Sequence, residues 1–310
     1  MKKRPLIKRI RREAAYLAIR SCVGFFRILP RWTGCLIASS LGRLIPFLDR
    51  KDYRLAVEHL TVAFGTEKDS REIRRLARES FRYLAMNFID TIRIRAMSDQ
   101  EVIDVCVPHD MDRVRKALER GHGIIGLTSH AGCWELLGAY LAVTGVPTSA
   151  IARRLYDHRL EDLLADTRTS RGILPISRGL NTRDIIRVLK KGYLVGVLID
   201  QDTNVKGEFI DFFGKKAHTA TSPALLSLKY DSPIVPILTY RDSKHRHHIC
   251  IGEPLEIEPS GDREHDIREL TILCSKATED HIRAHPEQWV WFHKRWKTRP
   301  DMEVRDSSRQ

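Results

Sequence analysis

An imidazole at His130 followed five positions later by a carboxylate at Glu135 is a pair that can move a proton. Histidine titrates near neutral pH, and a neighbouring acid can fix its tautomer and stabilise its charged form. Such a pair suits a general base that draws a proton from a hydroxyl. The spacing needs explaining. Residues that cooperate on one helix face lie three or four apart, because each residue turns the chain by about 100°. Five steps leave two side chains about 140° apart, so a straight helix would not join them. The flanking residues supply the answer. "GIIGLTS" (123–129) reads as a strand, and "CWELLGAYLAVTG" (133–145) as a helix stopped at Gly145. His130 therefore falls on the turn between them, where α/β proteins commonly place their chemistry, and Glu135 in the first turn or so of the helix. Such a turn can fold the imidazole back over the helix start, within reach of the carboxylate. The N–H groups near Gly132 and Cys133 would point into the same space and favour developing negative charge.

The elements that must hold this turn are legible in outline. Residues 52–95 carry apolar side chains at helical spacing, and "DMDRVRKALERGHG" is a further short helix ending at Gly121. Beyond it, strand-type runs at 123–129, 148–152, 173–176, 194–199, 234–239 and 248–251 alternate with helical ones. The helical runs are 133–144, 158–170, 181–191, 219–230 and 264–284. Alternation of this kind predicts an α/β sheet wrapped by helices. Four regions follow: basic amphipathic membrane-associating helices over 1–50, a helical region over 51–120, an α/β core over 121–300 and a polar tail over 301–310.

The net charge of +13 predicts attraction to a polyanion such as nucleic acid, an anionic lipid surface or an acidic carrier protein. No helix-turn-helix, zinc-finger or RNA-recognition pattern is present, and the cations sit beside apolar runs, which argues against nucleic acid. Near the N-terminus Arg20, Arg27, Arg31 and Arg43 interrupt every apolar run. The longest uncharged stretch, residues 32–42, falls well short of the roughly 20 residues that span a bilayer. On a helix Arg9, Glu13, Arg20 and Arg27 form one stripe within about 40°, which suits a helix lying in a membrane interface. The six cysteines are scattered without a CxxC pair and read as reduced thiols.

Two further blocks accompany the His-x4-Glu turn: "LIDQDTNVKGEFIDFFGKKAHTATSPALLSLKYDSPIVPILTYR" (198–241) and "HPEQWVWFHKRWKTRP" (285–300). Together, over most of the chain, these resemble the bacterial lipid A biosynthesis acyltransferases, the lauroyl/myristoyl transferase family. The resemblance implies an α/β fold, a glycerolipid-acyltransferase-like mixed sheet flanked by helices with an N-terminal helical region. It implies transfer of an acyl chain from an acyl-carrier-protein thioester, or acyl-CoA, to a hydroxyl of a lipid A precursor. The setting it implies is the cytoplasmic face of the inner membrane. His130 would be the general base and Glu135 its orienting acid. No enzyme nucleophile is needed, because the thioester is already activated. No cofactor or metal is expected. The acceptor is not legible, so a mannosylated inositol lipid or an ornithine lipid stays open, as does a non-catalytic membrane-surface protein.

Other residues carry weaker readings. Cys133 sits too close to His130 in the turn to serve as a nucleophile. Asp200 and Asp202 of "DQD" end a strand at the same sheet edge as His130, and would hydrogen-bond the acceptor or orient a base; Glu208 and Asp211 could contribute similarly. Arg153, Arg154, Arg171 and Arg178 lie near strand ends and would suit a phosphorylated acceptor, since guanidinium binds phosphate in a bidentate fork. "KHRHH" (244–248) reads as a charged hairpin turn. "WVWFHKRWKTR" mixes aromatics and cations in a way that suits either a headgroup layer or a packed C-terminal helix.

Overall fold

A computed structural model describes residues 6–152, 158–177 and 182–300. The chain opens with α1 (Leu6–Ile28) and α2 (Arg31–Leu48), broken at Pro30, followed by α3 (Arg50–Phe64) and α4 (Ser70–Arg93). Asp49 and Asp69 cap the last two by accepting backbone N–H groups of their first turns. α2 lies close against α4 because its inner side is made of small residues, Gly34, Cys35, Ala38, Ser39 and Gly42. A Cβ on Gly42 would collide with the α4 backbone at Arg82.

The arginine stripe expected along α1 does not face one way. Arg27 turns inward and donates to the Ile92 carbonyl near the end of α4, while Arg93 returns the favour to the Phe26 and Leu29 carbonyls at the end of α1. The last carbonyls of a helix lack intrahelical donors, and here the two guanidiniums supply them. Glu13 is taken by Arg159. Arg31 is drawn into a buried network on Asp90, whose carboxylate also meets Arg241 and His247. Burial alone would raise the Asp90 pKa. The two guanidiniums and the imidazole outweigh it and hold the group well below the usual carboxylate range. This network ties the N-terminal helices to the sheet. Among the described residues no helix is long and apolar enough to cross a membrane.

The remaining elements are α5 (Asp99–Asp104), β1 (Cys106–His109), α6 (Met111–Glu119), β2 (Ile124–Thr128), α7 (Trp134–Val143), β3 (Thr148–Ala152), α8 (His158–Thr169), β4 (Leu174–Ser177), α9 (Thr182–Leu189) and β5 (Leu194–Leu198), then β6 (Gly207–Phe212), β7 (Lys215–Ala220), α10 (Ser222–Tyr230), β8 (Ile234–Arg241), β9 (His247–Ile251) and α11 (Arg263–Ala284). Seven strands form one mixed sheet in the order β1-β9-β8-β2-β5-β3-β4, with only the β8–β9 hairpin antiparallel. Apolar clusters cover both faces. The expected mixed α/β sheet with an N-terminal helical region is present; the charged turn expected at 244–248 lies at 242–246, and His247 and His248 already belong to β9.

Three strands escape the sequence reading. β1 is a four-residue edge strand containing Pro108. The β6–β7 pair forms a separate hairpin whose second strand, "KKAHTA", has almost no apolar alternation. The helix expected from 219 begins instead at Ser222, with Pro223 in its first turn.

Candidate active site

β2 and β5 are parallel neighbours paired Thr128 to Leu198 at their carboxyl ends. Two residues beyond each pairing stand His130 and Asp200. The register therefore delivers an imidazole and a carboxylate to the same point on the sheet edge. His130 Nδ1 lies 2.9 Å from Asp200 Oδ1, and the His130 backbone N–H donates to Oδ2 at 2.7 Å. The Trp289 indole N–H donates to the same oxygen at 2.7 Å. Burial would raise the Asp200 pKa. The facing imidazole and these hydrogen bonds overcome it and lower the group to about 2. An ionised Asp200 accepts Nδ1–H, so Nε2 carries the lone pair of the neutral ring.

The turn itself is clamped from behind. Gly132 has φ +63°, and a Cβ there would overlap the Thr239 carbonyl, so only glycine passes. Its N–H donates to the Gln288 carbonyl, and Ala131 bridges to Trp289. The Gln288 side chain grips both backbone groups of Arg241. The Gly132 N–H expected to face a developing oxyanion is thus already engaged. The imidazole does fold over the helix start, with its ring edge-on to Trp134 at 5.0 Å, and the His293 ring lies 6.2 Å away on its stacked side.

Glu135 takes a different partner from the one expected. Both its oxygens are gripped by Arg168 of α8, at 2.9 and 2.5 Å, in a bidentate pair with little solvent access. The carboxylate that meets His130 is Asp200. The cause is geometric: Glu135 lies one residue into α7 and projects toward α8, whereas Asp200 comes from the next strand. Arg168 was not singled out in the sequence, because a lone arginine in an amphipathic helix carries no signal of its partner.

A cavity of about 620 Å³ adjoins the pair. His130, Trp134, Glu135 and Arg168 mark its polar portion. Leu137, Gly138 and Leu141 of α7 line its apolar portion, together with the sheet residues Gly126, Leu194, Gly196 and Ile237. Gly126 and Gly196 are register partners on β2 and β5, so the sheet contributes no side chain at that pair, and the Leu194 and Ile237 side chains border the gap at Gly126.

The other expected site residues scatter. Asp202 accepts the Thr298 N–H and faces His218 at 3.7 Å, a structural role. Glu208 pairs with Arg268, and Asp211 caps the β6–β7 turn at Gly214. Arg171 spends four of its five N–H donors on the Ile94 and Met97 carbonyls and on Asp99, so it cannot offer a phosphate a bidentate fork. Arg153, Arg154 and Arg178 lie outside the described residues. The C-terminal aromatics form neither a headgroup layer nor a helix: Trp289, Trp291 and Trp296 are buried, and Arg295 beside them donates to His218 O and Thr219 Oγ1. This block is instead the backing of the site.

Cys133 is buried with its thiol pushed up to about 12, chiefly by desolvation, and its Sγ faces the Asn87 carbonyl. A thiol in that state is not a nucleophile at neutral pH. Cys133→Ala should retain activity, and maleimide should fail to label Cys133 in the folded protein; rapid labelling coupled to inactivation would contradict this.

A family model described as bacterial lipid A biosynthesis acyltransferase matches residues 2–298. A lipid A biosynthesis palmitoleoyltransferase of Escherichia coli is 26% identical over 276 residues, spanning 88% of this chain and 87% of that protein. A lipid A biosynthesis lauroyltransferase of the same organism is 24% identical over 267 residues, 86% and 85% of the two chains. A phosphatidylinositol mannoside acyltransferase of Mycobacterium tuberculosis is 24% identical over 191 residues, 60% and 58%. With a match over nearly its whole length, and with the imidazole of its His-x4-Glu turn set beside an apolar cavity, the chain belongs to the bacterial lipid A biosynthesis acyltransferase family.

Proposed function

We propose that this acyltransferase moves a fatty acyl chain from a carrier-protein thioester to a hydroxyl of a lipid A precursor, at the cytoplasmic face of the inner membrane. His130 is the general base, and Asp200, rather than Glu135, is the acid that orients it. The observation that carries this reading is the His130–Asp200 pair at the polar portion of an apolar cavity. Nε2 takes the proton of the acceptor hydroxyl as its oxygen attacks the thioester carbonyl. The imidazolium, facing Asp200, then returns that proton to the departing thiolate, giving an ester and a free thiol. Arg168 and Glu135 neutralise each other beside the reacting centre, so the cavity accepts an uncharged tail without stranding a charge.

The test is mass spectrometry of membrane lipids from cells with and without the protein. The expected result is one acyl group missing from a phosphorylated disaccharide lipid when the protein is absent. Loss from a mannosylated inositol lipid would move the acceptor, and no change in any acylated lipid would overturn the reading.

The glycine pair Gly126 and Gly196 bears on chain length. A Cβ on Gly196 would meet only the Ser149 carbonyl, at an ordinary 3.6 Å, so a branch point fits there without pressing on the backbone. Gly196→Val is expected to shift products toward shorter acyl chains, since each methylene denied burial forfeits about 0.8 kcal/mol, or about fourfold in partition. Gas chromatography of released fatty acids reads this directly; an unaltered profile would place the tail elsewhere.

A further inference from the structure

α2 is built inside out. Its small residues face the protein, and its large apolar ones face away: Trp32, Leu36, Leu44, Phe47 and Leu48 are 52–84% exposed. On a helical wheel these five fall within about 160° of one another. α1 adds Leu17, Phe25 and Ile28. In all, nine of the thirteen large hydrophobic side chains exposed among the described residues lie between 17 and 48. A folded chain does not leave so contiguous an apolar surface to water without an occupant.

The charge decides which occupant. Residues 1–51 hold thirteen Lys and Arg against two acids, a net +11 in a chain whose total is +13. A second copy of this face would bring like charges together. An anionic surface would be attracted, and no described helix is long and apolar enough to cross one. Arg20, Arg43, Arg50, Lys51 and Arg54 are exposed on and around the apolar side chains, where cations reach phosphate groups while the helix body sinks among acyl chains.

We infer that α2, with the exposed side chains of α1, lies in the plane of an anionic lipid bilayer, with Trp32, Leu36, Leu44 and Phe47 inserted below the headgroups. The contact is made by the outward side of α2, not by the charged stripe on α1, of which Arg27 turns inward to the Ile92 carbonyl and Glu13 pairs with Arg159 at the surface. It rests on exposure and charge alone, so loss of catalysis in a His130→Ala protein leaves it standing.

Flotation of the full-length purified protein with phosphatidylcholine vesicles, with and without phosphatidylglycerol, tests it. Binding should require the anionic lipid and weaken with added salt. The triple variant Leu36→Glu, Leu44→Glu and Phe47→Glu should bind about 100-fold more weakly or worse, while keeping the circular dichroism of the parent. Independently, brominated acyl chains should quench fluorescence in the parent, and Trp32→Phe should remove most of that quenching. Undiminished vesicle binding by the triple variant would overturn the inference. So would concentration-dependent dimerisation in light scattering that the same substitutions abolish, since that would give the surface to a second copy.

Discussion

Asp200→Asn is expected to lower kcat for acyl transfer by about 10³–10⁴-fold, close to the loss from His130→Ala. An asparagine of the same shape can keep hydrogen bonds to the turn, but its amide can present an N–H to Nδ1. The imidazole would then carry its proton on Nε2, where the acceptor hydroxyl must deliver one. The buried carboxylate also supplies the charge that stabilises the imidazolium. Steady-state rates with product followed by mass spectrometry, beside the circular dichroism and urea unfolding of the variant, separate this from simple misfolding. Wild-type rates in Asp200→Asn, together with an inactive Glu135→Gln, would return the orienting role to Glu135.

The same carboxylate sets a stability term. Its folded pKa of about 2 lies below the ordinary 3.8, so its contribution is fully present above about pH 3.8 and is lost as pH falls toward 2. The difference corresponds to about 2 kcal/mol. Acid unfolding of the parent should therefore be steeper between these pH values than that of Asp200→Asn.

The second large effect falls on Arg168. Arg168→Met would leave Glu135, only 9% exposed, without its cation and should destabilise the fold by about 3–5 kcal/mol. The double variant Arg168→Met, Glu135→Gln removes both charges and should recover most of that loss. Urea unfolding of the parent, the two single variants and the double variant measures the coupling. Additive losses would mean that the bidentate pair contributes little to holding α8 against α7.

The contrast between these two carboxylates shows where sequence reasoning reached and where it stopped. His130 and its turn were legible because a strand pattern, a break and a helix pattern follow one another within about twenty residues. "DQD" was visible as the end of another strand at the same edge. That β5 is the neighbour of β2, in a register that sets Asp200 opposite His130, depends on sheet order, and no local pattern encodes it. Glu135 attracted attention because it is near in sequence, yet direction along a helix, not separation, decides what a side chain meets. The chemistry of the C-terminal tryptophans suits a headgroup layer and a packed helix equally, and local pattern does not choose between them. Their burial follows from a non-helical path that periodicity could not reveal, and Trp289 needed a buried acceptor for its N–H, which Asp200 supplies. The Arg27, Arg31 and Arg93 contacts were hidden for the same reason: an arginine that caps a distant helix looks, in sequence, like one that faces solvent.

Two adjacent residues of α8, about 100° apart on the helix, face different neighbours. Leu163 packs into the cluster formed by α1, α2 and α4, and Leu164 lines the cavity beside Arg168. That helix is a party wall between two rooms. Trimming Leu163 is expected to slacken the partition and lend space to the other side, so that the length of tail accepted under the proposed function would depend partly on side chains that never touch it.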